Sequence, residues 1–486
     1  MSHHLVNELE PKLLWGHFDA ITQIPHPSGH EAKLREHIVA LAKKKGLKTT
    51  VDATGNVTVH VPATPGREGG RPVVLQGHLD MVGEKNSDTK HDFTKDPIKT
   101  VVDGDYVKAT GTTLGADNGI GVAAALAVMD DPSGVHGPLE LLFTVDEETG
   151  LTGASNLEAA HLSGRLMVNL DSEEDGAIFI SCAGGVTGCT ALKCPTQRAP
   201  AGVKPWEIRV GGLKGGHSGL DINDNRANAI KLLAFTLLDA IPAAGAKVLS
   251  MEGGSKHNAI PREAVAVVVV PRGREEMLTA AVAKAKATFQ ATYGDHDPDL
   301  DVKVAPSAVR PRKVWTGAAA MRTVRLLLSI PTGVLAMSKE IPGLVETSNN
   351  LSVVVMTKEG IEITTCSRSS VNESLTAAIQ SIEALGALAG AKVRHEGRYP
   401  GWRPEPDSPL LVKAKEVFKA MRGADARVMA IHAGLECGII MEKLPGMKAI
   451  SFGPALFSVH SPAEKVQIST VGPFYEYLKE LLKALA

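Results

Sequence analysis

The sequence has few aromatics, few cysteines, almost no net charge and no long hydrophobic run, and each shortage closes off a class of function. Aromatic residues make up 4% of the chain, too few for a surface that stacks on nucleic-acid bases. The 52 basic residues nearly balance 54 acidic ones, for a formal charge of −2. That leaves no electrostatic footprint for nucleic acid or for an anionic membrane. No apolar stretch reaches the roughly 18 residues of a membrane span. The opening Met-Ser-His-His-Leu-Val-Asn-Glu-Leu-Glu has neither a basic start nor an apolar core, so it does not read as a signal peptide. Its His3-His4 pair is too short for a metal tract. The cysteines are Cys182, Cys189, Cys194, Cys366 and Cys437, with no C-x-x-C pair. An odd, sparse set argues against a disulfide framework or a thiolate zinc site and predicts a cytoplasmic protein.

What remains is an ordinary globular composition, 43% hydrophobic over 486 residues, long enough for two or three domains. The N-terminal stretch reads as two helices. In the second, Ser28 and Glu31 have capping-box spacing, and Leu34, Ile38 and Leu41 recur at helical period. Strand-like segments follow at 49–51, 57–61 and 73–76, then a small-residue helix at 120–129 suited to close packing on a sheet. This alternation predicts an α/β class, with a mostly parallel mixed sheet flanked by helices.

Near residues 183–185 the texture changes. Strands are expected at 207–210, 351–356, 361–365 and 392–394, with helices at 227–240 and 373–388. This reads as an inserted α+β domain over 185–402, whose two halves each offer strand, helix and strand. The Pro-rich Tyr399-Pro400-Gly401-Trp402-Arg403-Pro404-Glu405-Pro406 reads as the linker back. The first domain then comprises 1–184 and 403–486, with a helix at 410–421 and a strand at 427–431.

The chemistry lies at the ends of apolar runs in the first domain. Pro72-Val73-Val74-Leu75-Gln76 leads into Gly77-His78-Leu79-Asp80. Leu141-Leu142-Phe143-Thr144-Val145 leads into Asp146-Glu147-Glu148. Leu166-Met167-Val168-Asn169-Leu170 ends at Asp171. Asp117 follows Thr113-Leu114-Gly115-Ala116, and His460 follows Ala449-Ile450-Ser451-Phe452-Gly453 by a short loop. Open α/β sheets place ligand sites at the carboxyl ends of their strands. A single histidine there is more often structural, and a single aspartate more often caps a turn. Five strand ends with ligand-type residues, the histidines hundreds of residues apart, predict a metal site. Asp117, Glu148 and Asp171 carry three negative charges and the two histidines none. Two divalent ions and one hydroxide close that balance, as metal-assisted hydrolysis requires. Imidazole and carboxylate donors without cysteine suit Zn²⁺, with Mn²⁺ or Co²⁺ as permitted substitutes. Asp80 has the position of a carboxylate that orients His78, and Glu147 is placed as a general base.

These motifs, with Gly115-Ala116-Asp117-Asn118-Gly119, Asn169-Leu170-Asp171 and His460-Ser461, resemble those of the dinuclear zinc peptidase family that includes aminoacylases, succinyl-diaminopimelate desuccinylase and the glutamate-releasing carboxypeptidases. The resemblance covers essentially the whole chain. It implies His78 and Asp171 on one ion, Glu148 and His460 on the second, Asp117 bridging, and a cis peptide after Asp117. In the inserted domain, a lid by this resemblance, it implies His217 of Gly216-His217-Ser218-Gly219 as donor to the oxyanion. Asn258 would contact substrate, and Arg368 of Cys366-Ser367-Arg368-Ser369-Ser370 would hold its carboxylate. The implied activity is hydrolysis of dipeptides, including Xaa-His such as β-alanyl-histidine. N-acyl amino acid deacylation on the same site and a non-catalytic metal-binding protein are the alternatives. Asp80 and Glu147 are both present, which favours an enzyme. The expected partner is a small dipeptide. The doubled lid is also compatible with a homodimer, in which His217 serves its own chain or the other.

Two patterns are decoys. Gly119-Ile120-Gly121-Val122-Ala123-Ala124 has dinucleotide-like spacing but no strand before it. The glycines around His217 lack the Gly-Lys-Ser/Thr ending of a phosphate loop, and Ser218 lacks a nucleophile elbow.

Overall fold

The structure is a computed structural model that describes residues 6–486; the His3-His4 pair lies outside the described residues. The chain divides into two compact units. The first comprises 1–181, 402–430 and 435–486, and the second 182–401 and 431–434.

The first unit is built on an eight-stranded sheet. Its order is Lys48–Val51, Val57–Val61, Leu139–Thr144, Val73–His78, Leu166–Asn169, Lys448–Ser451, Ala177–Cys182 and Arg427–Ile431. The four strands from Leu139–Thr144 to Lys448–Ser451 are mutually parallel. The flanking pairs at Val57–Val61 and Ala177–Cys182 are antiparallel. The expected mixed α/β sheet is therefore present, with its parallel part confined to the centre. Val73–His78 and Leu139–Thr144 are buried at every position, as strands covered on both faces are.

The Ala116–Asp130 helix packs on this centre with 13 buried residues of its 15. It is rich in Gly, Ala and Val, which let it lie close to the strands. A Cβ at Gly77 would strike Asn118 Oδ1, and one at Gly121 would strike the Leu170 carbonyl oxygen. Gly121 of the dinucleotide-like pattern thus serves helix–sheet packing. Pro27, Ser28 and Glu31 precede the Ala32–Lys44 helix, but no capping box forms there. Ser28 Oγ donates instead to Asp80 Oδ2 at 2.8 Å. Glu31 Oε1 accepts from the Gly29 and Asp146 amides. Distant partners have taken both side chains that the local pattern assigned to the cap.

The second unit carries one long sheet in the order Asp301–Pro306, Val203–Gly211, Ala264–Pro271, Lys247–Gly253, Val345–Met356, Gly360–Ser369, Gly184–Lys193, Lys392–Tyr399. Its halves share one topology. The strands Val203–Gly211, Lys247–Gly253, Ala264–Pro271 and Asp301–Pro306 alternate with the helices Ala229–Ala244 and Glu275–Tyr293 as βαββαβ. Gly184–Lys193, Val345–Met356, Gly360–Ser369 and Lys392–Tyr399 do the same with Gly317–Ser329 and Asn372–Leu388. The doubling expected from sequence is nested, because the first half is inserted after the opening strand of the other. The halves join edge to edge through the Gly253–Val354 pairing and share a core that includes Leu233, Val268, Val324 and Ile363. The short segment 431–434 belongs to this unit. There His432 Nε2 lies 2.7 Å from Ser348 Oγ, and the Ala183 amide donates to the Ile431 and Ala433 carbonyls.

All five cysteines are buried and none forms a disulfide. Among the described residues no helix is long and apolar enough to cross a membrane.

The close packing predicts opposite outcomes for two helical glycines. Replacing Gly by Ala inside a helix is worth about 1 kcal/mol in propensity. Gly16 has nothing within 4 Å of an added Cβ, so Gly16→Ala raises the melting temperature. At Gly121 the added atom meets backbone, and overpacking costs about 1–3 kcal/mol, so Gly121→Ala lowers it. Calorimetry on the two variants checks this; shifts of the same sign contradict it.

Candidate metal centre

Val73–His78 pairs in register with Leu139–Thr144 on one side, which sets His78 beside Thr144, and with Leu166–Asn169 on the other, which sets Gln76 beside Asn169. The residues just beyond those ends converge. Ligand atoms of His78, Asp117 and Asp171 lie within 4.8 Å of one another, and so do those of Asp117, Glu148 and His460. Asp117 belongs to both groups, with Oδ1 3.2 Å from His78 Nε2 and Oδ2 3.1 Å from His460 Nε2. His78 Nε2 is also 3.3 Å from Asp171 Oδ1, and His460 Nε2 is 3.0 Å from Glu148 Oε2. Glu147 completes a third group with His78 and Glu148. Glu31, Asp80 and Asp146 form another cluster, but each of these carboxylates already accepts from an amide or hydroxyl.

Backbone geometry fixes these side chains. The Asp117–Asn118 peptide is cis, as the family resemblance implies. Asn118 Nδ2 donates to the Leu170 carbonyl at 2.7 Å, tying the Asp117 turn to the strand end that carries Asp171. His460 has φ 59 and Asp146 φ 53, in the left-handed region that non-glycine residues rarely occupy. His78 Nδ1 lies 3.0 Å from the Asp80 carbonyl oxygen, which places a proton there and turns Nε2 toward the carboxylates. The Asp80 carboxylate accepts from the Glu147 amide at 2.9 Å and the Glu148 amide at 3.1 Å. One aspartate therefore holds both the His78 end and the Glu147-Glu148 turn.

The electrostatics are unbalanced. Among the described residues no lysine or arginine pairs with Asp117, Glu147, Glu148 or Asp171. Burial pushes Asp171 up to about 8 and Glu147 well above the usual carboxylate range. Burial also raises Glu173 to about 7. His460 is pushed up to about 11 by its bonds to Asp117 and Glu148. Burial lowers His78, but Asp171, Asp117 and Asp80 outweigh it and leave the ring well above its usual value. Glu148 Oε1 is buried with no hydrogen-bond partner, and Asp171 Oδ1 has only the His78 imidazole, 3.3 Å away. Buried oxygens short of donors, imidazole nitrogens facing them and uncompensated negative charge together fit divalent cations.

Beneath the cluster runs a polar ladder that sequence reading missed. Asn169 Nδ2 donates to Gln76 Oε1 at 2.5 Å, and Gln76 Nε2 donates to Glu436 Oε2 at 2.6 Å. Thr144 Oγ1 donates to the same Glu436 oxygen at 2.5 Å. Ser451 Oγ donates to Asn169 Oδ1 and pairs with Ser172. Burial raises Glu436 to about 7. The available signal was Gln76 and Asn169, polar residues inside apolar runs and two positions before His78 and Asp171, hence on the same strand face. Glu436 and Glu464 carried no such signal.

The lid candidates lie in the second unit. His217 pairs with Ala259, and the Ser218 amide donates to the Asn258 carbonyl. Both His217 and Arg368 crowd the space an added Cβ at Gly219 would take. His217 Nδ1 accepts from the Gly219 and Leu220 amides at 3.2 and 3.1 Å, so the ring carries its proton on Nε2. Burial and the Arg368 charge lower its pKa. Arg368 is 6% exposed. Its Nη1 donates to Tyr399 Oη at 3.1 Å and its Nε has no partner, and among the described residues no acidic side chain pairs with it.

Fold and site together define a metallohydrolase of the α/β class with an inserted domain. The chain belongs to peptidase family M20/M25/M40, whose model matches residues 74–484. It is 41% identical over 480 residues to the cytosol non-specific dipeptidase of Escherichia coli, covering 99% of each chain. The aminoacylhistidine dipeptidase structure from Vibrio alginolyticus superposes with a TM-score of 0.93 at 40% identity, covering 99% of this chain and 98% of that one. Aminopeptidase PepT from Bacillus cereus shares the fold, with a TM-score of 0.57 at 16% identity and coverage of 98% of this chain and 99% of that one.

Ligand imidazoles and carboxylates must be unprotonated, so the raised pKa values give metal binding a sign. In the metal-free chain His460, His78 and Asp171 hold protons near neutral pH, and divalent ions displace them. Affinity therefore rises with pH across the neutral range. Calorimetric Zn²⁺ titrations in buffers of different ionisation enthalpy show net proton release; a binding enthalpy independent of buffer contradicts this.

Proposed function

We propose that the protein is a cytosolic, zinc-dependent dipeptidase whose substrates include Xaa-His dipeptides such as β-alanyl-histidine. The observation that carries the metal reading is the pair of three-ligand groups sharing Asp117. His78 and Asp171 would hold one ion, Glu148 and His460 a second, with Asp117 between them. When bound, the ions supply Lewis acidity toward the peptide carbonyl and lower the pKa of a water molecule. Dipeptides are the substrate class because the names of the Escherichia coli and Vibrio relatives both specify it.

This chain's own residues do the rest. Glu147 takes a proton from the attacking water and delivers it to the leaving amine. Its backbone is fixed by Asp80, and among the described residues its side chain has no hydrogen bond or ion pair that competes with this role. His217 offers an Nε2 proton to the oxygen on which charge develops, as its tautomer allows. Arg368 receives the free carboxylate of the dipeptide, because a buried guanidinium without an acidic partner calls for an anion. Asn258, beside His217, contacts substrate, and the second unit acts as a lid that excludes water.

Rates on a panel of dipeptides beside N-acetyl amino acids test the activity, and faster turnover of the N-acetyl compounds would reassign it to deacylation. Glu147→Gln keeps the metals and lowers kcat by about 10²–10⁴-fold, the usual worth of general acid–base catalysis. A variant that keeps most of its kcat moves the base elsewhere.

Arg368 gives a separate test. A charge-assisted bond is worth roughly 1.5–3 kcal/mol, so dipeptides outrun their amides by about ten- to a hundredfold in kcat/KM. Arg368→Lys narrows that gap, since lysine lacks the planar fork. An unchanged gap assigns the carboxylate to other groups.

A further inference from the structure

Glu464 is buried at 2% exposure, carries a carboxylate, and has no place in the reaction described above. Its two oxygens accept from four consecutive backbone amides. Oε2 takes Leu114 at 2.7 Å and Gly115 at 3.1 Å. Oε1 takes Ala116 at 2.8 Å and Asp117 at 3.3 Å. All four contacts are N–H donors, so the cradle suits the anion and gives a proton on Glu464 no acceptor. Burial and the nearby Asp117 carboxylate raise its pKa on balance, against the pull of the amides.

The four amides belong to the turn that presents Asp117. Gly115 lies in the left-handed region at φ 71, and Asp117 and Asn118 have non-helical dihedrals within the Ala116–Asp130 helix. This irregular turn has no strand ladder to hold it. At the other end, Glu464 sits four residues after His460. The Glu464 amide donates to the Ser461 carbonyl at 3.0 Å, closing a turn that begins beside His460. The next residues, Lys465–Gln467, pair with Tyr106–Ala109. One carboxylate therefore locks the Asp117 turn and the His460 turn into a single unit.

We propose that Glu464 is a positioning residue for the metal centre: it fixes the shared ligand Asp117 relative to His460 and thereby sets metal affinity. This rests on the metal reading above. Groups that hold ligands in place are typically worth 10–100-fold in metal affinity. Glutamine keeps the shape of Glu464 but turns an NH₂ toward two amides, so it breaks half of the cradle.

The test is Zn²⁺ affinity of the full metal-stripped chain, read by competition with a chromophoric chelator, with the visible spectrum of the Co²⁺-loaded protein as the second readout. Glu464→Gln is expected to weaken Zn²⁺ binding by about 10–100-fold and to shift the Co²⁺ bands. Val324→Ala, a cavity in the core of the second unit, is expected to lower the melting temperature and leave both readouts unchanged. If Glu464→Gln does not fold, Glu464→Asp keeps the charge at shorter reach and is expected to show a smaller loss in the same direction. Affinity within twofold of wild type, in whichever variant folds, overturns the proposal and leaves Glu464 a structural residue. A wild-type chain that binds no Zn²⁺ overturns the metal reading itself, and this inference with it.

Discussion

Uncompensated negative charge is the constraint on which the rest of the site depends. Asp117, Glu147, Glu148 and Asp171 are gathered around two imidazoles with no lysine or arginine to pair them. Like charges this close repel one another strongly in a buried setting. Without a cation the cluster relieves itself by holding protons, as the raised His460, His78 and Asp171 show. Divalent ions would replace those protons with a stronger counter-charge.

A fold must hold repelling groups in place by other means, and this one does so largely through backbone amides. The Asp80 carboxylate pins the Glu147-Glu148 turn, and Glu464 pins the Asp117 turn. Asn118 ties that turn to Leu170, and Gly77 and Gly121 let helix and strands approach closely enough for it to reach. Beneath lies the Asn169–Gln76–Glu436 ladder, where each polar group in an apolar sheet finds a neighbour. His460 comes after the second unit in sequence, so the centre cannot be completed until the chain has returned.

Much of this was legible in the sequence because strand ends are local signals. A polar or acidic residue directly after an apolar run marks a sheet rim, which is how His78, Glu148 and Asp171 stood out. Asp117 and His460 were read the same way, as residues just past apolar runs, but both sit in irregular turns, Asp117 in the first turn of the Ala116–Asp130 helix. Ser28 and Glu31 misled, since capping-box spacing reports local preference and the Asp80 and Asp146 partners are distant. Glu436 and Glu464 were invisible because each looks like an ordinary surface acid until the fold buries it. The doubling of the second unit was expected, but its nesting was hidden for a related reason: the opening strand of one half is separated from its partners by the whole of the other half.

The central proposal is that two divalent ions would share Asp117. Elemental analysis of the active protein, dialysed against trace zinc and compared with its specific activity, tests it most directly. The account predicts two zinc ions per chain at full activity, with activity rising as the second site fills. One ion per chain with full activity would contradict it.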